Sequence, residues 1–236
     1  RKAAPEEIGE ALVSVPAAAR HDVPEWLRRS TTAEPSIPRA ISPSAALDDA
    51  PTRRAAPDAR ALARGRIVHR LLQALPAVPP ERRAETARRH LAQAKGFDEA
   101  ACASIAREVL ALLDDPRFAP LFAPGSRAEV PIVGYVSYGD QRRQISGQVD
   151  RLAVTDSDVL IADYKSDRFV PRRAEQISQA YVGQLALYRA VLQKLYPNHR
   201  VRAALVWTAG PALMELPETA LNAALSRLET QENTWT

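Results

Sequence analysis

The apolar positions change period along the chain. From Asp58 onward, Leu62, Gly65, His69 and Leu72 recur at intervals of three and four, which predicts a helix with those residues on one face. Pro80 to Ala94 predicts a second helix, with proline in its first turn and Arg82, Arg83, Arg88 and Arg89 along it. Asp98 is placed to cap a third, with Ile105, Val109 and Leu112 inward and Pro116 as its stop. After Arg127 the pattern is that of strands. Glu129–Tyr138 is rich in Val, Ile and Tyr, and Gly139-Asp140 is a two-residue hairpin signal. Arg142–Val154 and Val159–Lys165 are the next two strands, joined by a turn at Asp156-Ser157. Val159-Leu160-Ile161-Ala162 is apolar on both faces, so the third strand belongs at the centre of a sheet. A long helix is predicted from about Arg173 to Leu195. A strand over Arg200–Thr208, an edge strand over Pro211–Leu216 and a closing helix over Glu218–Gln231 follow.

This order predicts an α/β fold. Its mixed sheet is an antiparallel meander extended through a crossover helix by a further strand, with the N-terminal helices packed on it. No internal repeat is present. The first 57 residues differ in character: eight of the 19 prolines fall in residues 1–60. Proline removes donors and fixes φ, so 1–57 reads as a Pro-rich connector, partly disordered, and 58–236 as the folded domain. Within the connector, Val23-Pro24-Glu25-Trp26-Leu27 reads as a short turn able to dock one aromatic.

Register arithmetic points to the chemistry. A two-residue turn at Asp156-Ser157 makes opposed residue numbers sum to 313, so Asp150 faces Asp163. A turn on Gly139-Asp140 makes them sum to 279, so Glu129 faces Asp150. Opposed residues share a face, and Lys165, two beyond Asp163, shares it too. The alternative is a β-bulge at Gly134 or Gly147, which would break the row. Like charges opposed in a strand pair destabilise it, so a buried row of acids needs a cation. Lys165 provides part, and a divalent metal with oxygen ligands, Mg²⁺ or Mn²⁺, provides the rest. Such a site is hydrolytic: the metal activates a water and neutralises charge on a phosphoryl oxygen, and the lysine steadies the developing charge. The competing reading is a solvated hairpin face with Lys165 in a salt bridge, and the apolar third strand argues against it. On the long helix, Gln184 and Tyr188 are four apart, on the face expected to carry Ile177, Tyr181 and Leu195. His69 is either a satisfied core histidine or a ligand.

Composition narrows the class. The chain has 236 residues, one full domain with some length to spare. It is 46% hydrophobic and 25% charged, which is ordinary globular usage. No apolar run has the ~18 residues of a membrane span. The single cysteine, Cys102, excludes an intrachain disulfide, a four-cysteine zinc site and a self-contained iron–sulfur cluster, and fits a reduced cytosolic setting. The pattern Gly-x-x-x-x-Gly-Lys-Ser/Thr is absent, so no nucleotide-triphosphate site of that kind is expected. The 32 basic residues are 28 Arg and four Lys, and the net charge of +4 does not itself establish nucleic-acid binding. A first residue of Arg1 reads as a piece of something larger.

Gly65-x-x-x-His69, Glu129, Gly147-Gln148-Val149-Asp150, Asp163-Tyr164-Lys165 and Gln184-x-x-x-Tyr188 resemble, in order and spacing, the RecB-type branch of the PD-(D/E)XK nucleases. The closing stretch Leu205-Val206-Trp207-Thr208-Ala209-Gly210-Pro211, with Leu213-Met214-Glu215-Leu216-Pro217, is similar to the C-terminal nuclease domain of the AddA family of helicase–nucleases. The resemblance covers roughly 58–236 and implies a restriction-endonuclease-like core. It implies that Asp150, Asp163 and His69 bind Mg²⁺, with Mn²⁺ able to substitute. Lys165 would be the catalytic lysine, Glu129 the upstream acid near the metal, and Gln184 and Tyr188 part of the helix bordering the DNA path. Ser166 stands where Thr is also common.

In the whole protein the resemblance implies an ATP-driven helicase part that feeds single strands, the 3′-terminated one, to an exonuclease. The partner would be an AddB-type subunit, the role double-strand-break repair, and the location cytoplasmic, at the nucleoid, with no membrane partner and no iron–sulfur cluster. Arginines on the Pro80–Ala94 helix either touch phosphate or form a solvated face. The alternative function is a catalytically silent DNA-binding or scaffold domain of the same fold. A stand-alone CRISPR-associated iron–sulfur nuclease lacks its cysteines here, and a restriction-type enzyme has no reason for the Pro-rich lead-in.

Overall fold

The computed structural model describes residues 24–25, 40–46, 59–138, 141–166 and 170–230. The chain divides into two compact units, 1–37 and 38–236. Most of the stretch read as a connector, and the aromatic turn around Trp26, lie outside the described residues. The second unit carries a one-turn helix α1 (Pro43–Ala46) and three helices α2 (Ala59–Ala74), α3 (Pro80–Leu91) and α4 (Glu99–Asp114). A five-stranded sheet follows: β1 (Arg127–Tyr138), β2 (Gln141–Val154), β3 (Asp158–Lys165), β4 (Arg200–Trp207) and β5 (Ala212–Glu215). Helix α5 (Gln179–Leu195) crosses from β3 to β4, and α6 (Glu218–Thr230) closes the domain. No helix among the described residues is long and apolar enough to cross a membrane.

The strand order is β1-β2-β3-β4-β5. β3 and β4 run parallel, the other neighbours antiparallel. Strand β3 sits at the centre, as its two apolar faces require, with six consecutive buried residues. On one face α2, α3, α4 and the 3-10 turn Pro116–Phe122 pack Val68, Leu72, Val109 and Phe118 against Ala153, Leu160, Ala162 and Val206. On the other, α5 and α6 pack Leu185, Leu192 and Leu221 against Ile145, Ile161, Leu205 and Trp207. Each such large side chain, fully buried, contributes roughly 1.5–3 kcal/mol of transfer free energy. The N-cap at Asp98 forms as expected, its side chain accepting from Ala101 N at 2.8 Å.

Three expectations need correction. The long helix begins at Gln179, not near Arg173. Ala174–Gln176 is a 3-10 turn, and Ile177 is extended with its side chain in the core. Helix α5 is buried all round from Val182 to Leu192, so the charged Arg172, Arg173 and Glu175 stay outside on the turn that precedes it. The inward stripe of α2 is Gly65, Val68, Leu71 and Leu72, whereas Leu62 is 47% exposed at the mouth of a cleft. Leu195, the last residue of α5, is 62% exposed, beyond the packed part of the helix.

Gly134 and Gly147 are not bulges. Their pairs, Gly134↔Ile145 and Ile132↔Gly147, lie within an unbroken register that sums to 279. They are glycine because α5 comes close. A Cβ at Gly134 would lie 2.4 Å from Val191 Cγ1, and one at Gly147 would lie 2.3 Å from the Tyr188 hydroxyl. Beyond the reach of β3, the edge of β2 is covered by the chain before α1. Ile41 N–H donates to Gln144 O at 2.8 Å, and Ile41 O accepts from Ser146 N at 3.0 Å. Part of the stretch read as connector is therefore attached to the sheet.

The close approach at Gly134 is testable by a double-mutant cycle. Gly134→Ala should cost about 1–3 kcal/mol of unfolding free energy, the usual range for overpacking. Val191→Ala opens the same space, so the double variant should be less destabilised than the two single losses combined. Additive losses in urea unfolding would contradict the contact.

Candidate active site

The site lies where β2 leaves β3. Their ladder runs from Val154↔Val159 to Arg151↔Ala162, in the register expected from the Asp156-Ser157 turn, and then stops. Past that point Tyr164 N–H donates not to a backbone carbonyl but to Asp150 Oδ2, at 2.6 Å. The carboxylate stands in for the acceptor that the departing strand no longer offers.

The β1–β2 register also holds on both sides of Glu129 and Asp150, but that pair itself falls out of the ladder. Glu129 has φ 53°, the left-handed region. Val149 and Leu152 are three apart, yet both lie in the core beneath α5, where strict alternation would put them on opposite faces. Val130, the partner of Val149, packs against the same core. Both strands thus change phase together, so the residue sums survive and the alternation does not. A non-glycine residue in the left-handed region costs roughly 1–2 kcal/mol, and such strain gathers at functional sites.

The kink presents Glu129 and Asp150 to α2. His69 Nδ1 lies 3.4 Å from Asp150 Oδ1, and its ring meets Tyr164 edge-on with centroids 5.6 Å apart. One ligand atom each from His69, Glu129 and Asp150 all lie within 4.8 Å of one another. Gly65 makes this reach possible. A Cβ there would lie 2.8 Å from Ser166 Oγ, so α2 sits directly on the end of β3 one turn before His69.

Asp163 is held differently. It is 5% exposed. Its Oδ2 lies 2.6 Å from Lys165 Nζ, and Gln184 Nε2 donates to its Oδ1 at 2.9 Å. Gln184 Oε1 accepts from Lys165 Nζ at 3.4 Å, so one amide bridges the acid and the base. Lys165 Nζ lies 3.9 Å from the Tyr181 ring centroid, a cation over an aromatic face. Asp163 Oδ2 is buried, and its close polar neighbour is the Lys165 ammonium. Tyr188 accepts from Gln148 N–H at 3.2 Å through the space that Gly147 leaves.

Of the residues expected to bind metal, the structure brings His69 and Asp150 together and adds Glu129. Asp163 stands beside them, engaged with Lys165 and Gln184. Burial lifts Asp163 well above the ordinary carboxylate range, with Lys165 opposing and Asp150 adding to it. Burial, then Asp150, also raises Glu129. Burial pulls the His69 pKa down, but Asp150, with Asp163 and Glu129 behind it, outweighs burial and the net shift is upward. Burial pushes the Tyr164 phenol up to about 12, so it stays neutral.

Several neighbours had no role assigned in the sequence. Gln148 Nε2 donates to Glu129 O at 3.0 Å and to Glu129 Oε2 at 2.8 Å. Arg66, Arg70 and Gln73 line a cleft of about 540 Å³ together with His69 and Glu129. Their spacing around His69, at i−3, i+1 and i+4, was the available signal. The arginines of α3 divide: Arg83 bonds Val78 O at 3.0 Å and lies 3.7 Å from Asp114, and Arg89 pairs with Glu85, so neither is a free phosphate binder.

Comparison with known proteins agrees with this geometry. The pattern defining the PD-(D/E)XK nuclease superfamily matches residues 45–233. An ATP-dependent helicase/nuclease subunit from Oenococcus oeni is 36% identical over 73 residues, 30% of this chain but 6% of that protein. The matched stretch is thus a small part of that relative's length. A solved structure described as the crystal structure of SSO0001 aligns at TM-score 0.30 with 17% identity, covering 71% of this chain and 76% of that one, a likeness too slight to argue from.

The strain at Glu129 predicts a separation of stability from function. Glu129→Asn tolerates the left-handed backbone and removes a charge facing Asp150. It should keep or raise the unfolding free energy, by up to about 1 kcal/mol. A loss above that size in thermal or urea unfolding would mean that Glu129 is there for stability.

Proposed function

The chain belongs to the PD-(D/E)XK nuclease superfamily, and on that premise we propose that it is a Mg²⁺-dependent deoxyribonuclease that hydrolyses phosphodiester bonds of single-stranded DNA from an end. The observation that carries the reading is the meeting of His69, Glu129 and Asp150 ligand atoms within 4.8 Å, beside the buried Asp163–Lys165 pair. Two carboxylates and an imidazole suit a divalent cation, and Asp163, whose Oδ2 lies 2.6 Å from the Lys165 ammonium, is the neighbouring acid. Bound there, such a cation lowers the pKa of a water and neutralises charge on the scissile phosphate.

The chain's own groups do the rest. Tyr164 N–H fixes Asp150 Oδ2, which leaves Oδ1 turned toward His69. Gln184 fixes Asp163 and Lys165 against each other. Among the described residues, two of the three N–H donors of Lys165 are engaged, by Asp163 and Gln184. The third is our candidate to orient the attacking water and steady charge on the phosphate. Gln148, whose backbone N–H is held by Tyr188, supports Glu129 through its side-chain amide.

For the whole protein we propose an AddAB-type helicase–nuclease that processes double-strand breaks in the cytoplasm. In it a helicase part consumes ATP, an AddB-type subunit is the partner, and the 3′-terminated strand is the one cut here. The support is the order of the motifs and the partial match to the Oenococcus oeni helicase/nuclease.

Digestion of linear single-stranded DNA in Mg²⁺ tests the reading. Asp163→Ala and Lys165→Ala should each lose at least about 10²-fold in rate, the usual loss for one electrostatic stabiliser. Undiminished digestion by both variants would overturn it. Mn²⁺ should raise the melting temperature of the wild-type chain but not of Asp150→Asn. A wild-type chain that binds Mn²⁺ and DNA yet cuts nothing is the silent-scaffold outcome.

A further inference from the structure

Helix α2 contributes more than His69. Arg66, His69, Arg70 and Gln73 fall at i, i+3, i+4 and i+7, one stripe of the helix, and all four line the cleft that contains Glu129 and Gln148. The guanidinium-bearing side chains of Arg66 and Arg70 are exposed. Many other arginines of the domain are already spoken for: Arg64 by Glu108, Arg117 by Asp115, Arg202 by Glu215 and Arg189 by Glu218. Among the described residues no ion pair is recorded for Arg66 or Arg70. Arg70 also borders a second cleft, of about 360 Å³, with Arg89 and His90 of α3. Arg89 is paired with Glu85, so the basic groups beside the acids are Arg66 and Arg70 of α2.

We infer that Arg66 and Arg70 hold the backbone phosphates of the DNA strand next to the scissile bond. This rests on the nuclease reading above. A polyanion approaching Glu129, Asp150 and Asp163 meets their repulsion, and cations must flank the acids to bring it in. Two arginines one helical turn apart are ~5–6 Å apart at Cβ, within reach of successive phosphates of one strand. A guanidinium suits the task, because its fork of donors can grip a phosphate by two parallel bonds. Both touch substrate away from the reacting atoms. Arg89 of α3, farther along, is held by Glu85 and is not among the phosphate contacts.

The test is the salt dependence of oligothymidylate binding, measured in EDTA so that binding is read without digestion. Each phosphate contact on a single strand contributes about 0.7 to the slope of log K against log salt. Arg66→Gln and Arg70→Gln should each flatten the slope by about that amount. Arg200→Gln is the control: Arg200 starts β4 opposite Asp158, seven positions along the sheet from Lys165, so its slope should match wild type. In Mg²⁺ the two α2 variants should raise KM and leave kcat near wild type, the mark of lost ground-state binding. A slope unchanged in both, or flattened equally by Arg200→Gln, overturns the inference and leaves the nuclease reading untouched. A wild-type chain that binds with the expected slopes but digests nothing in Mg²⁺ overturns the nuclease reading and leaves the arginine contacts standing.

Discussion

Strands β2 and β3 part after Arg151↔Ala162, and the domain's chemistry is arranged around that parting. An unbroken ladder would set Asp150 squarely against Asp163, two like charges in one pair, which destabilises a sheet. The chain avoids this by letting β2 turn away and by giving Tyr164 N–H a carboxylate in place of a carbonyl. A buried N–H left without an acceptor costs about 1–3 kcal/mol, so the bond to Asp150 is needed for the strands to separate at all. The same bond orients Asp150. One side chain thereby closes the end of a ladder and opens a site, and both roles are lost together if it is cut back to alanine.

The rest of the domain serves this opening. Helix α5 packs so closely that Gly134 and Gly147 have no room for a Cβ, and in return it delivers Gln184 to Asp163 and Tyr188 to Gln148 N–H. Helix α2 comes onto the end of β3 through Gly65 and delivers His69. The buried Arg151 fastens the two layers on that side: it donates to Leu72 O at 2.9 Å and lies over the Phe122 ring. The helices are thus positioned from the sheet by close backbone approach, which leaves little slack at the side chains that meet there.

Much of this was legible because a strand has period two and a short turn fixes register. The sums of 313 and 279 held for every recorded pair on those ladders. The apolar faces of Val159–Ala162 placed β3 at the centre before any contact was known. What register arithmetic missed is the phase change at Glu129 and Asp150. A positive φ on glutamate has no signature in composition or spacing. It is imposed by the surroundings, against the local preference of the residue. The glycines left a bulge open as the alternative for a related reason: a glycine required by a helix overhead looks, in sequence, like a glycine required by a bulge. Leu62 and Leu195 fit an apolar period but lie past the packed part of their helices, where period alone gives no stopping point. Arg66 and Arg70 were hidden by abundance, since 28 arginines in 236 residues give no single one prominence.

That abundance makes Lys165 the informative exception. It sits 15% exposed between the Asp163 carboxylate and the Tyr181 ring. A guanidinium is planar and broad, and its charge is spread over three nitrogens. An ammonium concentrates its charge on one atom with three donors that rotate to suit. In the space bounded by Asp163, Gln184 and Tyr181, the compact cation meets an acid, an amide oxygen and a ring face at once. The surrounding acids sharpen the requirement. With Asp163 and Glu129 both raised, largely by burial, and Glu129 strained in its backbone, the site without a bound cation is a net electrostatic cost to the fold. Lys165 offsets part of that cost permanently. On the proposed reading, what it leaves over is the driving force for taking up a divalent ion, so the residues that weaken the domain would be those that set its affinity for the metal.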